Sequence, residues 1–272
     1  MRCRFRDPVV QARFEADGFV VLTLLSPEDV ARLSEAYEHI AADRPAPFAA
    51  TLTGRTFVEN EAVAARISAV VEPRLETVLA DWSVIGSTYL VKAQHPDGAL
   101  ALHQDWSSVD ERRSASLNVW CPLADVPADG GALDVVAGSH LWFTAHRAPL
   151  IPSVQVELTA EVLAAATTLP VVAGEAVFYD HRLFHGSRAS TRPGTRVVAQ
   201  LGVVPEDEPL VMCFPTDEGS VELRQVDAGA FFRGLDYEVA PPDERPGSSG
   251  ERVPLEVVSE GDVLRRIVAG PG

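Results

Sequence analysis

The sequence predicts a mainly β protein, a sandwich or barrel with α-helices packed on its outside. From about residue 83 onward, short runs rich in β-forming residues recur between turn residues, at 83–94, 98–104, 115–121, 131–136, 169–173, 175–179, 183–187 and 195–204. Many short strands at such close spacing are typical of sandwiches and barrels. Before residue 83, apolar residues recur mostly at helical spacing, which places the main helices ahead of the strands.

The N-terminal part is predicted to contain one strand and two helices. Residues 19–24 form an apolar run of strand length, and Ser26 follows as a good N-cap with Pro27 at the first helical position. A second helix is expected after Asn60, kinked or broken at Pro73 because proline lacks an amide hydrogen.

The C-terminal part is predicted to end in a polar loop over 241–250 and a short helix over 259–269. We expect a single domain over 1–272. Its parts would be an N-terminal helical part at about 1–82, a β core at about 83–205, and an extension of strand, loop and helix over 206–272.

The composition is that of a core-forming protein and excludes several classes. Hydrophobic residues make up 46% and charged residues 23% of the 272, which excludes a disordered or fibrous chain. No apolar run reaches the ~18–20 residues of a membrane-spanning helix, and no secretory signal follows the basic start. Cys3, Cys121 and Cys213 are too widely spaced for a disulfide framework. We therefore expect a cytoplasmic protein with no membrane partner.

The acidic charge balance bears on the partner. With 23 basic and 39 acidic residues the formal net charge is −16, which argues against nucleic acid as a partner. The charge is compatible with a cationic substrate, although an acidic surface that favours solubility is the more common explanation. The sequence carries no signal for the oligomeric state.

Two His-x-Asp patterns occur, and their surroundings separate them. The first, His95-Pro96-Asp97, runs into Gly98 and is typical of a turn. The second, His103-Gln104-Asp105, ends a stretch at 99–102 that can be extended. Residues i and i+2 of a strand point to the same face, roughly 6.5–7 Å apart, so the imidazole and carboxylate of the second pattern can converge on one ion.

A third ligand and an anion-binding arginine are expected farther along the chain. His185 lies at the edge of a strand and is the best candidate for a third metal ligand. Arg196 shares a strand face with Val198 and Gln200, where burying its charge is costly unless it meets an anion. A guanidinium has the right shape to bind a carboxylate. Two histidines and one carboxylate are typical of non-heme Fe(II) oxygenases.

At these residues the sequence resembles the phytanoyl-CoA dioxygenase family of Fe(II)- and 2-oxoglutarate-dependent oxygenases, over roughly residues 14–204. The matching segments, in chain order, are Phe14-Glu15-Ala16-Asp17-Gly18-Phe19, His103-Gln104-Asp105-Trp106, Asn118-Val119-Trp120-Cys121-Pro122, Gly130-Gly131, Gly138-Ser139-His140, His185-Gly186-Ser187 and Arg196. The resemblance implies a double-stranded β-helix, a jelly roll of cupin type. It also implies Fe(II) as cofactor, 2-oxoglutarate as cosubstrate, and O2 as oxidant.

The resemblance also assigns roles to individual residues. The iron ligands match His103, Asp105 and His185. The arginine eleven positions after the last of these, which binds the C5 carboxylate of 2-oxoglutarate, matches Arg196. Ser187 matches a hydroxyl that assists this arginine, and Trp120 matches a tryptophan that lines the cosubstrate pocket.

Lys92 and Asn118 are further candidates for the cosubstrate pocket. Lys92 is the one lysine among 23 basic residues, which suggests a place where a compact ammonium is wanted. Some relatives contact 2-oxoglutarate with a lysine on such a strand; the alternative is a surface lysine. Asn118 alternates with Trp120 and either points into the barrel or is a structural asparagine.

The implied activity is hydroxylation of an unactivated C–H bond in a small molecule. Related halogenases have Gly or Ala at the position of Asp105, so the aspartate favours hydroxylation. Oxidative cyclisation, desaturation and epoxidation by the same oxidant are alternatives. We expect a substrate from specialised metabolism such as antibiotic biosynthesis, and favour a cationic or amino-bearing molecule over an acyl-CoA.

Two alternatives belong to other classes of protein. One is a non-catalytic β-helix binding module that kept the ligands by descent. The other is a metal-dependent hydrolase or cupin-type isomerase, which would not need Arg196.

Overall fold

The computed structural model describes residues 4–40, 47–51, 56–226 and 250–269. The helices in these ranges are α1 (Pro8–Asp17), α2 (Pro27–Glu38), α3 (Phe57–Val78), α4 (Ala160–Ala165) and α5 (Glu260–Ala269). The strands are β1 (Arg4–Phe5), β2 (Phe19–Thr23), β3 (Phe48–Ala50), β4 (Leu79–Ala80), β5 (Trp82–Ala93), β6 (Leu100–His103), β7 (Leu117–Pro122), β8 (Leu133–Val135), β9 (Thr167–Leu169), β10 (Glu175–Asp180), β11 (His185–Ser187), β12 (Thr195–Pro205), β13 (Leu210–Pro215), β14 (Ser220–Val226) and β15 (Glu251–Pro254).

Two antiparallel sheets form the body of the protein. The main sheet has six strands in the order β2-β10-β7-β12-β5-β3, and the smaller sheet has four in the order β6-β11-β8-β9. Strands of both sheets line one cavity between them. This is the predicted double-stranded β-helix fold. A further sheet, β13-β14-β15, and a short pair, β1-β4, lie outside these two sheets.

The period of two along each strand divides the main sheet into an outer and an inner face. On β7, Leu117, Val119 and Cys121 are fully buried in the cluster that the N-terminal helices cover. Asn118 and Trp120, between them, line the cavity. The alternation along β7 therefore directs one set of side chains to the cavity and the other set to the core beneath the helices.

Helix α3 differs from its prediction at both its start and its middle. It begins at Phe57, before Asn60, because Thr56 and Glu59 form a capping box. It also continues without a break through Pro73. Val71 and Leu75, on either side of the proline, are fully buried in the outer cluster. Burial of these side chains favours the continuous helix against the roughly 3 kcal/mol that a proline costs in a helix interior.

Two predicted strands are displaced, and the predicted C-terminal helix is present. The strand expected at 98–104 begins at Leu100, since Pro96–Gly98 is a turn of 3-10 helix. The strand expected at 169–173 lies at Thr167–Leu169, and beyond it only isolated bridges follow, from Val171 to Val126 and from Ala173 to Glu175. The closing helix is α5. Of the predicted polar loop, 241–249 lies outside the described residues.

Strands β2 and β3, from the part predicted to be mainly helical, join opposite edges of the main sheet. The division of 1–272 into one domain with three parts stays a prediction. In the part of the chain that the structure describes, no helix is both long and apolar enough to cross a bilayer.

Candidate active site

Three potential metal ligands converge where β6 and β11 pair. His185 lies directly opposite His103 in this antiparallel pair, and their ring centroids are 4.4 Å apart. Asp105 follows β6 by two residues, with its carboxylate 3.9 Å from Nε2 of His103 and 3.6 Å from Nε2 of His185. The three ligand atoms lie within 4.8 Å of one another. The spacing predicted from the sequence therefore brings these side chains together.

Both imidazoles are oriented by backbone carbonyls two residues earlier in the chain. Nδ1 of His103 is 2.8 Å from the carbonyl oxygen of Ala101, and Nδ1 of His185 is 3.0 Å from that of Leu183. Because a carbonyl only accepts, each Nδ1 carries the proton and each Nε2 keeps its lone pair. Burial lowers the pKa of His185 to about 4, so this ring is neutral at physiological pH, as a metal ligand must be.

The Asp105 carboxylate is oriented by Asn118. Nδ2 of Asn118 donates a hydrogen bond of 2.6 Å to Oδ2 of Asp105. Of the two alternatives for Asn118, the structure shows the inward position, with the side chain hydrogen-bonded to the candidate metal ligand Asp105. The amide leaves the other carboxylate oxygen, Oδ1, facing His103. Such a hydrogen bond fixes the rotation of a ligating carboxylate.

The donor set fits a divalent transition metal with open coordination positions. Among the described residues, His103, Asp105 and His185 are the one cluster of three or more potential ligands with this proximity. Two imidazoles and one carboxylate that converge in this way match the facial triad of non-heme Fe(II) oxygenases.

The triad opens into a cavity of about 730 Å³. Its lining combines small polar and apolar side chains from both sheets with residues near the triad: Phe48, Ala50, Asn60, Ile85, Gly86, Ser87, Thr88, Leu90, Leu100, Ala101, Gln104, Trp106, Ser108, Asn118, Trp120, Leu133, Ser153, Gln155, Tyr179, His181, Gly186, Ser187, Arg196, Gln200 and Gly202. This volume suits a small-molecule ligand together with a cosubstrate.

Arg196 points into the cavity from β12. Its Nη1 donates to the carbonyl oxygen of Gly131, and its guanidinium carbon lies 5.3 Å from the centroid of the Trp120 ring. Its Nε is buried and has no hydrogen-bond partner among the described residues. Burial lowers the pKa of Arg196 to about 10, yet the group stays charged at neutral pH. A buried charge with an unused donor is suited to binding an anion.

Lys92 is completely buried, which excludes the alternative of a surface lysine. It pairs in register with Arg196 on the neighbouring strand. Its Nζ donates to Oγ of Ser187 at 2.6 Å, to the Ser187 carbonyl at 3.2 Å, and to the Arg188 carbonyl at 3.0 Å. Burial and the adjacent Arg196 charge lower the pKa of Lys92 to about 7. Ser187 and Arg196 line the cavity, and Lys92, buried beside them, completes a positively charged corner.

Gly131 makes room for this corner. Its φ of +78° is in the left-handed region, and a Cβ there would lie 2.8 Å from Cδ of Lys92. A glycine is needed both for the backbone and for the lysine stem.

Sequence reasoning missed several buried groups around the triad. His181 lines the cavity, and its Nδ1 is 2.8 Å from Oγ of Ser116. Tyr179 is buried, with its ring centroid 4.6 Å from that of His185. Arg147 and Glu111 form a buried ion pair of 2.7 Å beside Asp105. Arg147 and Glu111 lie in irregular segments, so no periodicity marks them.

A model of the phytanoyl-CoA dioxygenase (PhyH) family matches residues 14–198 of the chain. Comparison with curated proteins finds no match.

Several solved structures share the fold at low sequence identity. HygX from Streptomyces hygroscopicus, with nickel and 2-oxoglutarate bound, is 16% identical with a TM-score of 0.52, over 74% of this chain and 88% of HygX. The epimerase SnoN, in complex with Fe3+, α-ketoglutarate and nogalamycin RO, is 20% identical with a TM-score of 0.52, over 93% of this chain and 98% of SnoN. EvdO2 from Micromonospora carbonacea var. aurantiaca is 17% identical with a TM-score of 0.52, over 75% of this chain and 92% of EvdO2.

Proposed function

This chain belongs to the phytanoyl-CoA dioxygenase family and is an Fe(II)- and 2-oxoglutarate-dependent dioxygenase, and we propose that it hydroxylates an unactivated C–H bond of a small molecule from specialised metabolism. One observation carries the proposal. A convergent His-Asp-His triad opens into the same cavity as a partly buried arginine, Arg196, whose buried Nε has no partner among the described residues. A hydrolase or isomerase of cupin type has no use for such an arginine.

In this proposal His103, Asp105 and His185 hold Fe(II) on one face. When bound, the iron supplies the activation of O2, which no side chain can perform. The protein contributes two imidazoles and a carboxylate whose rotation Asn118 restrains. Small residues in the cavity wall, such as Gly86, Ser87 and Gly202, leave space for the substrate beside the open coordination positions.

The positively charged corner of Lys92, Ser187 and Arg196 is proposed to bind the distal carboxylate of 2-oxoglutarate. Nε of Arg196 would donate to one carboxylate oxygen, and the indole of Trp120 would restrict the guanidinium to this orientation. Lys92 contributes a second positive charge and fixes the Ser187 hydroxyl, which contacts the same group. A dicarboxylate compensates two buried cations that otherwise repel each other.

The substrate is proposed to be a natural product of the kind handled in antibiotic biosynthesis. In support, structures of the same fold were solved with hygromycin B and with nogalamycin RO bound. The net charge of −16 favours the approach of a cationic or amino-bearing molecule over that of an acyl-CoA. In the described lining, the cavity offers hydroxyl and amide groups such as those of Ser153 and Gln155. Hydrogen bonds would then orient the molecule inside.

A metabolite screen tests the proposal. The purified protein is incubated with Fe(II), 2-oxoglutarate and panels of amino-bearing natural products, neutral natural products and acyl-CoAs, and succinate release is measured. We expect release that depends on one class of substrate, with a product that has gained one oxygen atom. A product that has lost two hydrogen atoms would instead indicate cyclisation or desaturation.

A binding measurement separates the enzyme from a binding module that kept the ligands. Anaerobic addition of Fe(II) and then 2-oxoglutarate should give a visible charge-transfer band, and Asp105→Ala should abolish it. A protein that binds a metabolite but shows neither the band nor succinate release contradicts the proposal.

A further inference from the structure

Asp105 lies outside regular secondary structure, two residues beyond the end of β6. No strand ladder therefore fixes its backbone. Two other hydrogen bonds do so. Its amide nitrogen donates to the carbonyl oxygen of His181 at 2.9 Å, and its own carbonyl oxygen accepts from Nε of Arg147 at 2.6 Å.

All three nitrogens of the Arg147 guanidinium donate hydrogen bonds. Besides the Asp105 carbonyl, the guanidinium donates to both carboxylate oxygens of Glu111, at 2.9 and 2.7 Å, and to the Ala145 carbonyl at 2.8 Å. The amide nitrogen of Arg147 donates to Oγ of Ser107, and its carbonyl oxygen accepts from the amide nitrogen of Ser107. The side chains of Arg147 and Glu111 are 5% and 1% exposed, so the ion pair is removed from solvent.

A buried ion pair adds little to the free energy of folding on its own. The cost of desolvating two charges roughly cancels their attraction, and well-packed apolar residues often serve a fold equally well. The fork geometry of Arg147 nevertheless fixes the direction of its Nε, because both terminal nitrogens are held by Glu111. That direction points the third donor at the backbone of Asp105.

We propose that Arg147 and Glu111 are positioning residues that hold the backbone of Asp105 so that its carboxylate meets the metal. This inference rests on the proposed metal site. Without the pair, Asp105 would keep its side-chain bond to Asn118 but lose the restraint on its carbonyl. The carboxylate would then be less well placed to bind the ion together with the two imidazoles.

Metal binding to the full-length protein tests the inference without requiring turnover. Co(II) alone is titrated, and its dissociation constant and visible d–d spectrum are measured. Arg147→Lys cannot bridge Glu111 and the Asp105 carbonyl in the same way, so we expect Co(II) binding about 10- to 100-fold weaker. We also expect its spectrum to shift toward that of Asp105→Ala.

Arg74→Lys is the matched control. Arg74 also forms a two-point ion pair with a buried carboxylate, that of Asp29, with bonds of 2.8 and 3.0 Å, and this pair lies between α2 and α3. The same substitution there should leave Co(II) affinity and spectrum as in the parent protein.

Glu111→Gln keeps the size of the side chain and decides the question if Arg147→Lys does not fold. It should weaken Co(II) binding less than Arg147→Lys but measurably. A folded Arg147→Lys protein, or in its absence Glu111→Gln, with the parent affinity and spectrum overturns the positioning role. If Asp105→Ala itself binds Co(II) as tightly as the parent, the metal site is wrong, and the role proposed for the pair falls with it.

Discussion

Lys92 and Arg196 occupy paired positions on the neighbouring strands β5 and β12, where Arg196 lines the cavity and Lys92 is buried beside it. Neither has a carboxylate partner among the hydrogen bonds that the structure describes; both donate to main-chain carbonyls, and Lys92 also donates to Ser187. Burial lowers the pKa of both side chains, and at Lys92 the charge of Arg196 lowers it further, to about 7. An incoming dianion relieves the repulsion between the two charges.

We predict that 2-oxoglutarate binding is coupled to proton uptake. At pH 8 Lys92 is mostly neutral in the free protein, since its pKa is about 7, and the bound dianion restores its charge. The dissociation constant should therefore rise with pH above about 7 and level off below it. Calorimetry in buffers of different ionisation enthalpy measures the proton number, and Lys92→Met should bring the uptake to zero.

The same shift predicts how folding responds to pH in the absence of ligand. In the unfolded chain Lys92 has its ordinary pKa of 10.5, so between pH 7 and 10.5 the unfolded state binds more protons. Lys92 therefore contributes a rise in the free energy of unfolding across this window. Urea titrations of the parent and Lys92→Met proteins should differ in their slope with pH.

Arg196→Gln should raise the KM for 2-oxoglutarate by about 30-fold or more. The change removes a buried, charge-assisted contact of about 2 kcal/mol, while the metal ligands stay in place. Arg192→Gln is the control. Arg192 precedes the same strand but forms an exposed pair with Asp129. A surface pair contributes little, so that KM should change by less than about threefold. Equal KM values in both variants would contradict the assignment of the cosubstrate site.

Asp105→Ala should abolish tight metal binding and activity, because two imidazoles alone do not hold a catalytic ion. The other His-x-Asp pattern provides the control. Asp97 lies on an exposed turn and only approaches His95, at 3.7 Å. Asp97→Ala should leave both properties intact. Metal content of the purified proteins and succinate release measure the difference.

Gly186→Ala should lower both stability and metal affinity. A Cβ at Gly186 would lie 2.6 Å from the carbonyl oxygen of Leu100, so β6 and β11 could not keep their spacing. We expect a loss of about 1–3 kcal/mol in the free energy of unfolding. Gly261→Ala, near the start of α5, should leave stability unchanged or raise it by up to about 1 kcal/mol. Denaturant titrations of both variants check this.

The sequence alone predicted the parts of the molecule that depend on local patterns. The period of two predicted that Arg196 and Gln200 share one face of β12, where both line the cavity, and the capping residues predicted the start of α2. The His-x-Asp pattern at the end of an extended stretch indicated His103 and Asp105, and the structure brings both to the cavity.

Features that depend on tertiary contacts were not accessible from the sequence. The continuity of α3 through Pro73 rests on burial against the main sheet, which no local rule contains. The bond between Arg147 and the Asp105 carbonyl joins two irregular segments that lie 42 residues apart. The burial of Lys92 likewise depends on the register that pairs it with Arg196. The residue pattern of one strand does not determine that register.

The antiparallel register that sets His185 opposite His103 has a consequence for the lifetime of the protein. An ion bound by both rings would cross-link β6 and β11, two short strands at the edge of the smaller sheet. Without the ion, the pairing of β6 with β11 should be the first to open. Amide hydrogen exchange and proteolysis at these strands should then be faster. Iron supply would then control how long the protein survives as well as how fast it works.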